Sequence, residues 1–215
     1  MAPATYPVSF SVDYPDRPLN RLTTFFRLFT AIPIVIVLAT VSGGVWQSSS
    51  GKAGSQAVAA AGGLLFVGPL LLILFREKYP RWWFDWNLEL HRFSNRVGVY
   101  VALMDDRYPS TDDHQAVHLD YVYPDAPQEL NRFLPLVKWL LAIPHYIVLF
   151  FLDIGVIVVV IVAWFAILFT GRFPPALFRF VADVIGWHNR VVGYALTLIT
   201  DRYPPFRLSL EDPTA

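Results

Sequence analysis

The chain has 215 residues and a mass of 24.4 kDa; 55% of its residues are hydrophobic, 16% aromatic and 16% charged, with 17 basic residues, 17 acidic residues and no cysteine. Soluble domains carry about 25% charged and about 45–50% apolar residues, so this composition excludes a disordered tail, a disulfide scaffold and an ordinary soluble enzyme, and it points to a bilayer. The zero net charge excludes a nucleic-acid binder driven by basic excess, and the missing cysteines exclude thiolate nucleophiles and thiolate metal sites.

Read from the start, MAPATYPVSFSVDYPDR has no basic region followed by a short apolar core and a small-residue cleavage site, so no signal peptide is expected. Val8-Ser9-Phe10-Ser11-Val12 alternates with the period of a half-buried strand, and Tyr14-Pro15-Asp16 ends it because proline cannot donate to a ladder. Residues 22–41 form a first candidate span, with Arg27 near its start and Pro33 in its middle. Residues 56–75 form a second, closed by Arg76, Glu77 and Lys78. Each approaches the roughly 20 apolar residues that a hydrocarbon core of about 30 Å requires. Next come Trp86, Leu90, Phe93, Val97, Val101 and Met104 at steps of three and four, with Asp85, Glu89, Arg92 and Arg96 on another face. That pattern predicts an amphipathic helix lying in the membrane interface, with Trp82, Trp83, Trp86 and Trp187 as an aromatic belt.

The second half begins the same way. Val117-His118-Leu119-Asp120-Tyr121 reads as another strand, able to pair with the first or with another subunit, with residues 206–210 joining them. The apolar run 133–169 is too long for one span and holds Asp153 and Gly155, so it is expected to form a hairpin with its tip at 152–155. Phe180, Val184, Trp187, Val191 and Leu198 then predict a second interfacial helix. Pro33, Pro69 and Pro144 are expected to kink their spans.

These parallels make an internal repeat, with residues 1–112 and 113–215 as its copies. VDYPDRP with LNR matches YVYPDAP with LNR; Arg27 matches Lys138; Ala31-Ile32-Pro33 matches Ala142-Ile143-Pro144; Asn95-Arg96-Val97 matches Asn189-Arg190-Val191; and Asp106-Arg107-Tyr108-Pro109 matches Asp201-Arg202-Tyr203-Pro204. An even number of spans per copy makes the copies parallel about an axis along the membrane normal, unlike inverted transporter repeats. The expected architecture is a mainly α membrane protein. It has four transmembrane helices arranged as two parallel helical hairpins, each followed by an interfacial helix, with a small cytoplasmic β-sheet. On that layout 16 of the 17 basic residues fall on one side and Lys52 alone falls opposite. The positive-inside rule makes that populated side, with both termini, cytoplasmic in a multi-pass protein of the cell membrane.

The tandem YPDxP, LNR, AIP, FxxxYP and NRV…DRYP elements resemble a bacterial membrane family catalogued as domain of unknown function four-three-eight-nine. The resemblance extends over nearly the whole chain and implies a multi-span protein with tandem copies, but no activity or site residues.

Candidate sites follow from charge position. His145 stands inside a span, where an ionisable side chain is a functional candidate as a proton or ligand contact; the structural alternative is a neutral ring bonded to a carbonyl freed by Pro144. Arg21, Arg96, Arg132 and Arg190 could gather near the repeat axis, with Asp106-Arg107 and Asp201-Arg202, as a basic pocket for lipid headgroups, whereas Arg27 and Lys138 could snorkel to the cytoplasmic face. These seven are the candidate lipid or ligand contacts. Against the pocket stands local pairing and a purely topological role. Asn20 and Asn131 are expected to cap or turn the chain into the first and third spans. His114 and His118, four apart, would stand about 13 Å apart on a strand, too far to share a metal. No GxSxG, HExxH, Walker or dinucleotide motif occurs. The expected function is a non-enzymatic accessory or scaffold subunit without a cofactor, partnered by membrane lipids and by itself or another membrane protein, with no nucleic acid. The competing expectation is a small transporter or lipid-handling protein with its site at the repeat interface.

Overall fold

The computed structural model describes residues 6–42, 61–111, 113 and 115–209, without side chains for 61–67. The chain is mainly helical: β1 (Val8–Val12), α1 (Arg21–Phe25), α2 (Arg27–Ser42), α3 (Ala61–Arg76), α4 (Arg81–Val101), β2 (Val117–Tyr121), α5 (Ala126–Glu129), α6 (Pro135–Leu141), α7 (Ile143–Thr170) and α8 (Pro175–Ala195). The loop carrying Lys52, the start of the second expected span, Asp112, His114 and Leu210 lie outside the described residues.

The two alternating segments pair with each other, antiparallel, with Phe10 opposite Leu119, Val8 opposite Tyr121 and Val12 opposite Val117. The ladder continues alike past both ends: Asp13 N–H donates to the Ala116 carbonyl at 2.9 Å and Val122 N–H to the Pro7 carbonyl at 3.0 Å. Residues 206–209 do not join the ribbon; the Arg207 and Leu208 carbonyls accept from Arg190 instead. Each strand packs on the helix of the other half, β1 on α8 and β2 on α4. Gly186 and Gly193 make the first contact close, since a Cβ would stand 3.4 Å from Phe10 at Gly186 and 2.8 Å from Val8 at Gly193. On the other side Arg92 donates from Nε to the Leu119 carbonyl at 2.8 Å and also pairs with Asp120, which closes the β2 edge.

α4 and α8 therefore do not lie free at an interface. The ribbon covers one face of each, and the apolar helices α2 and α7 cover another. Their predicted apolar stripes are largely internal: Leu90, Phe93, Val97 and Met104 are buried, as are Val184, Trp187, Val191 and Leu198. Trp187 leaves the expected belt for the core, while Trp82 and Trp86 are exposed. The main core lies where α4, α7 and α8 meet, built from Val99, Met104, Ala163, Ile167, Phe173, Phe178 and Val181.

The expected hairpin in the 133–169 run is absent. The break falls at Ala142, where α6 ends and Pro144 opens α7, a position at which proline's missing N–H costs nothing. From there α7 runs unbroken for 28 residues through Asp153 and Gly155. Asp153 reaches sideways to His188 of α8, Oδ2 to Nε2 at 3.4 Å. Gly155 faces the Phe180 ring, 3.5 Å from where its Cβ would be. A helical glycine costs about 1 kcal/mol, less than the turn of hydrogen bonds a hairpin tip would forfeit. Pro33 and Pro69 stay inside α2 and α3, and the first half breaks at Phe26 instead. The described residues do not show four crossing helices. α7 alone among the described residues is long and apolar enough to cross a membrane, and 11% of its most apolar 18-residue window is buried.

Candidate functional site

Asn20 caps α1 as expected: its Oδ1 accepts from Leu22 N–H at 2.9 Å and Thr23 N–H at 3.3 Å. Asn131 turns the chain toward α6, its Oδ1 accepting from Phe133 N–H at 2.9 Å. The backbone N–H of each then donates to the aspartate of its own half's DRYP motif, Asn20 to Asp106 Oδ2 at 3.2 Å and Asn131 to Asp201 Oδ2 at 2.5 Å. That motif is brought back under the helix starts by Leu103 and Leu198, both held at positive φ (65° and 59°), which reverse the chain after α4 and α8. For leucine such a conformation costs about 1–3 kcal/mol.

Under these turns lie the two most deeply buried cations. Arg27 is 2% exposed; its Nη1 donates to the Asp105 carbonyl at 2.9 Å and its guanidinium sits 4.0 Å over the Tyr100 ring. Lys138 is 0% exposed; its Nζ donates to the Thr200 carbonyl at 2.8 Å, meets Asp201 Oδ1 at 2.6 Å and lies 5.3 Å from the Tyr194 ring centre. Neither snorkels to water. A buried charge is tolerated where it is paired and hydrogen-bonded, and here each cation ties the start of an apolar helix to the end of the helix that follows.

The four remaining arginines do not gather into a pocket. Arg96 donates to the Thr111 carbonyl at 2.9 Å and the Asp113 carbonyl at 3.2 Å; Arg190 donates to Leu208 O at 3.1 Å and to Arg207 O. Each staples the segment after its own DRYP motif, and burial depresses the Arg190 pKa. Arg21 donates to the Phe169 carbonyl at 3.1 Å, and Arg132 pairs with Glu77 at 2.7 Å. Between the two sets, where the pocket was expected, Asn95 and Asn189 exchange amide hydrogen bonds at 2.9 and 2.8 Å. That buried, reciprocally satisfied pair fills the interface between α4 and α8.

His145 is fully buried, but its partner is not the carbonyl freed by Pro144. Its Nδ1 accepts from Trp187 Nε1 at 3.0 Å, which places the ring proton on Nε2. Phe206 stacks on the ring at 4.0 Å between centroids, and Tyr203 lies at 4.9 Å. His118, in β2, pairs with Asp13 at 2.9 Å, and among the described residues no three His, Asp or Glu side chains converge on a metal position. The sequence missed Tyr100, Tyr194, the Asn95–Asn189 exchange, the Trp187–His145 bond and the Asp153–His188 pair. The first three carried one available signal, recurrence at matching places in both halves.

These features define a helical chain with a two-stranded ribbon, paired buried cations and an exposed apolar helix. Residues 135–207 match the family model described as Domain of unknown function (DUF4389). The match begins at α6 and ends just beyond the second DRYP motif, a narrower stretch than the resemblance implied. No curated protein and no solved structure matches the chain.

Proposed function

We propose that the chain is a non-enzymatic membrane protein, an accessory or scaffold subunit built from two tandem repeats (1–112 and 113–215), with its ribbon and DRYP turns on the cytoplasmic side. The observation that carries the membrane reading is the outer face of α7. Ile147, Phe150, Phe151, Ile154, Ile157, Val158, Ile161, Val162 and Phe165 are all exposed along it. A core helix of a soluble protein buries such residues; a face this large and this apolar needs a partner other than water. Exposed Leu28, Phe29, Ile32, Val35 and Ile36 extend the same character onto α2.

The repeat reading is supported by contacts that come in matched pairs: Tyr14 hydroxyl to Phe173 O with Tyr123 hydroxyl to Tyr79 O, both 2.5 Å; and the two ladder-end bonds, the two buried cations and the two positive-φ leucines. The non-catalytic reading is supported by the seven candidate side chains, each spent on an internal contact. The test is recovery of the natively expressed protein from membranes washed with alkaline carbonate and floated on a density gradient, followed by affinity capture. Floating protein that captures a stable partner or itself fits the proposal. Protein in the soluble fraction overturns the membrane reading, and a lone monomer without partners overturns the scaffold reading.

A further inference from the structure

We propose that α7 lies along one leaflet of the membrane instead of crossing it, its outer face immersed in the acyl chains and both its ends on the same side. The inference rests on the membrane and repeat readings above and goes beyond them in fixing the depth and direction of the helix. It starts from the level of the two ends. The matched pairs relate the halves by a two-fold axis that passes through the middle of the ribbon, at Phe10 and Leu119, and between Asn95 and Asn189. Residues exchanged by such an axis share one depth along it, so Leu19 and Leu130, the first residues of the two LNR motifs, are level. Leu19 N–H donates to the Gly171 carbonyl at 2.8 Å, and Gly171 is the C-cap of α7. The chain therefore leaves that level at Leu130 and is back at it by Gly171.

Between those points α6 contributes about 10 Å of helix and the four residues before it at most about 14 Å, which bounds the descent to roughly 25 Å. α7 is 28 residues long, and it makes the whole return. At 1.5 Å per residue it covers about 42 Å of length while rising through no more than about 25 Å, short of the roughly 30 Å hydrocarbon core. With the two-fold axis along the membrane normal, the helix is steeply tilted toward the membrane plane.

A second observation points the same way. Asp153 and His188 pair halfway along α7, on its flank, with side chains 50% and 41% exposed. In a crossing helix this half-open polar pair would face lipid at the bilayer centre, where ionisable groups are costly and turn inward. In a helix lying flat, the flank that meets α8 sits at headgroup depth and the opposite, wholly apolar face points into the hydrocarbon. An in-plane helix of this kind buries its apolar side about 5–10 Å into the headgroup and acyl boundary.

The chain has no cysteine, so single cysteines report position directly. Ile147→Cys, Ile157→Cys and Phe165→Cys, labelled with bimane in the full-length protein in phosphatidylcholine–phosphatidylglycerol vesicles, are quenched with phospholipids brominated at stepped acyl positions. Phe133→Cys and Arg172→Cys, before and after the α6–α7 unit, are probed with a membrane-impermeant maleimide added to one side. The expected result is quenching of all three bimanes from within one leaflet, with a depth that changes in one direction from 147 to 165 and no maximum at 157, and labelling of both flanking cysteines from the same side. A profile deepest at 157 and shallow at 147 and 165, or flanking cysteines reached from opposite sides, overturns the proposal. Protein that floats with the vesicles but is not quenched overturns it as well, because a second copy or another protein then covers the face. Protein that does not float refutes the membrane reading itself.

Discussion

Replacing Asp201 by alanine removes the only carboxylate among the described residues within ion-pairing distance of the Lys138 ammonium, which has no access to water. At 2.6 Å and an effective dielectric near 20, the gross attraction is about 6 kcal/mol. Much of it offsets the desolvation of the two groups, and breaking one side of a buried pair costs about 3–5 kcal/mol because the other charge is stranded. Asn131 N–H also loses its acceptor, so the expected loss for Asp201→Ala is about 4 kcal/mol, or about 8–16 °C in Tm for a chain of this size. Lys138→Met should cost less, about 1–2 kcal/mol, since Asp201 keeps Asn131 and is partly solvated. The double variant Lys138→Met/Asp201→Asn strands no charge and should be more stable than Asp201→Ala alone by about 2 kcal/mol. Tryptophan fluorescence during thermal unfolding in a mild detergent reads all three. An Asp201→Ala variant within about 0.5 kcal/mol of the parent, or strictly additive costs in the double variant, would show that the pair does not hold α6 to the DRYP turn.

Other outcomes follow from the same contacts. Asn95→Leu leaves the Asn189 amide buried without its partner and should cost about 2 kcal/mol, whereas Asn95→Leu/Asn189→Leu should recover part of that loss; equal destabilisation on the same thermal assay would contradict it. Gly193→Ala drives a methyl to 2.8 Å from Val8 Cγ2 and should cost about 1–3 kcal/mol, whereas Gly98→Ala, inside α4 with nothing near its Cβ, should gain about 0.5–1 kcal/mol. Burial pushes the His91 pKa down from 6.5 to about 4, so the unfolded chain holds more protons between those values. Stability should therefore be independent of this group above pH 6.5 and fall as pH drops toward 4, by at most about 3 kcal/mol, and His91→Gln should flatten that slope in urea titrations across the range.

Strict alternation in 8–12 and 117–121 made both strands legible, and the repeated motifs marked the residues that meet in the core. Asn20 capped its helix as its side chain and position indicated. The hairpin expected at 152–155 failed for a reason that local reading could not supply. A charge inside an apolar run usually marks a surface tip, but Asp153 finds His188 of the next helix, and Gly155 marks the close approach of Phe180. Both partners lie 25 or more residues away. The arginines of the NRV and LNR motifs read as ligands for headgroups because sequence displays their charge and hides what receives them, the carbonyls of residues 111, 113, 169, 207 and 208 and the carboxylate of Glu77. Trp187 was assigned to a belt by composition, and a single hydrogen bond to His145 places it inside.

The crossing of strands and helices between halves has a consequence for biosynthesis. β1 is made well before α8, the helix it rests on; Tyr6 hydroxyl bonds the Arg202 carbonyl at 3.2 Å across 196 residues of sequence. Contacts of such long sequence separation close late. While the chain is still leaving the ribosome, the β1 face that packs on α8 must wait, with Val8 and Phe10 uncovered, until residues 175–195 arrive. Translation of a message truncated between the halves would yield a fragment holding a strand without its helix and a helix without its strand. Such a fragment could complete itself by taking the missing parts from another chain, so the intertwined halves leave quality control no checkpoint before residues 175–195 are made.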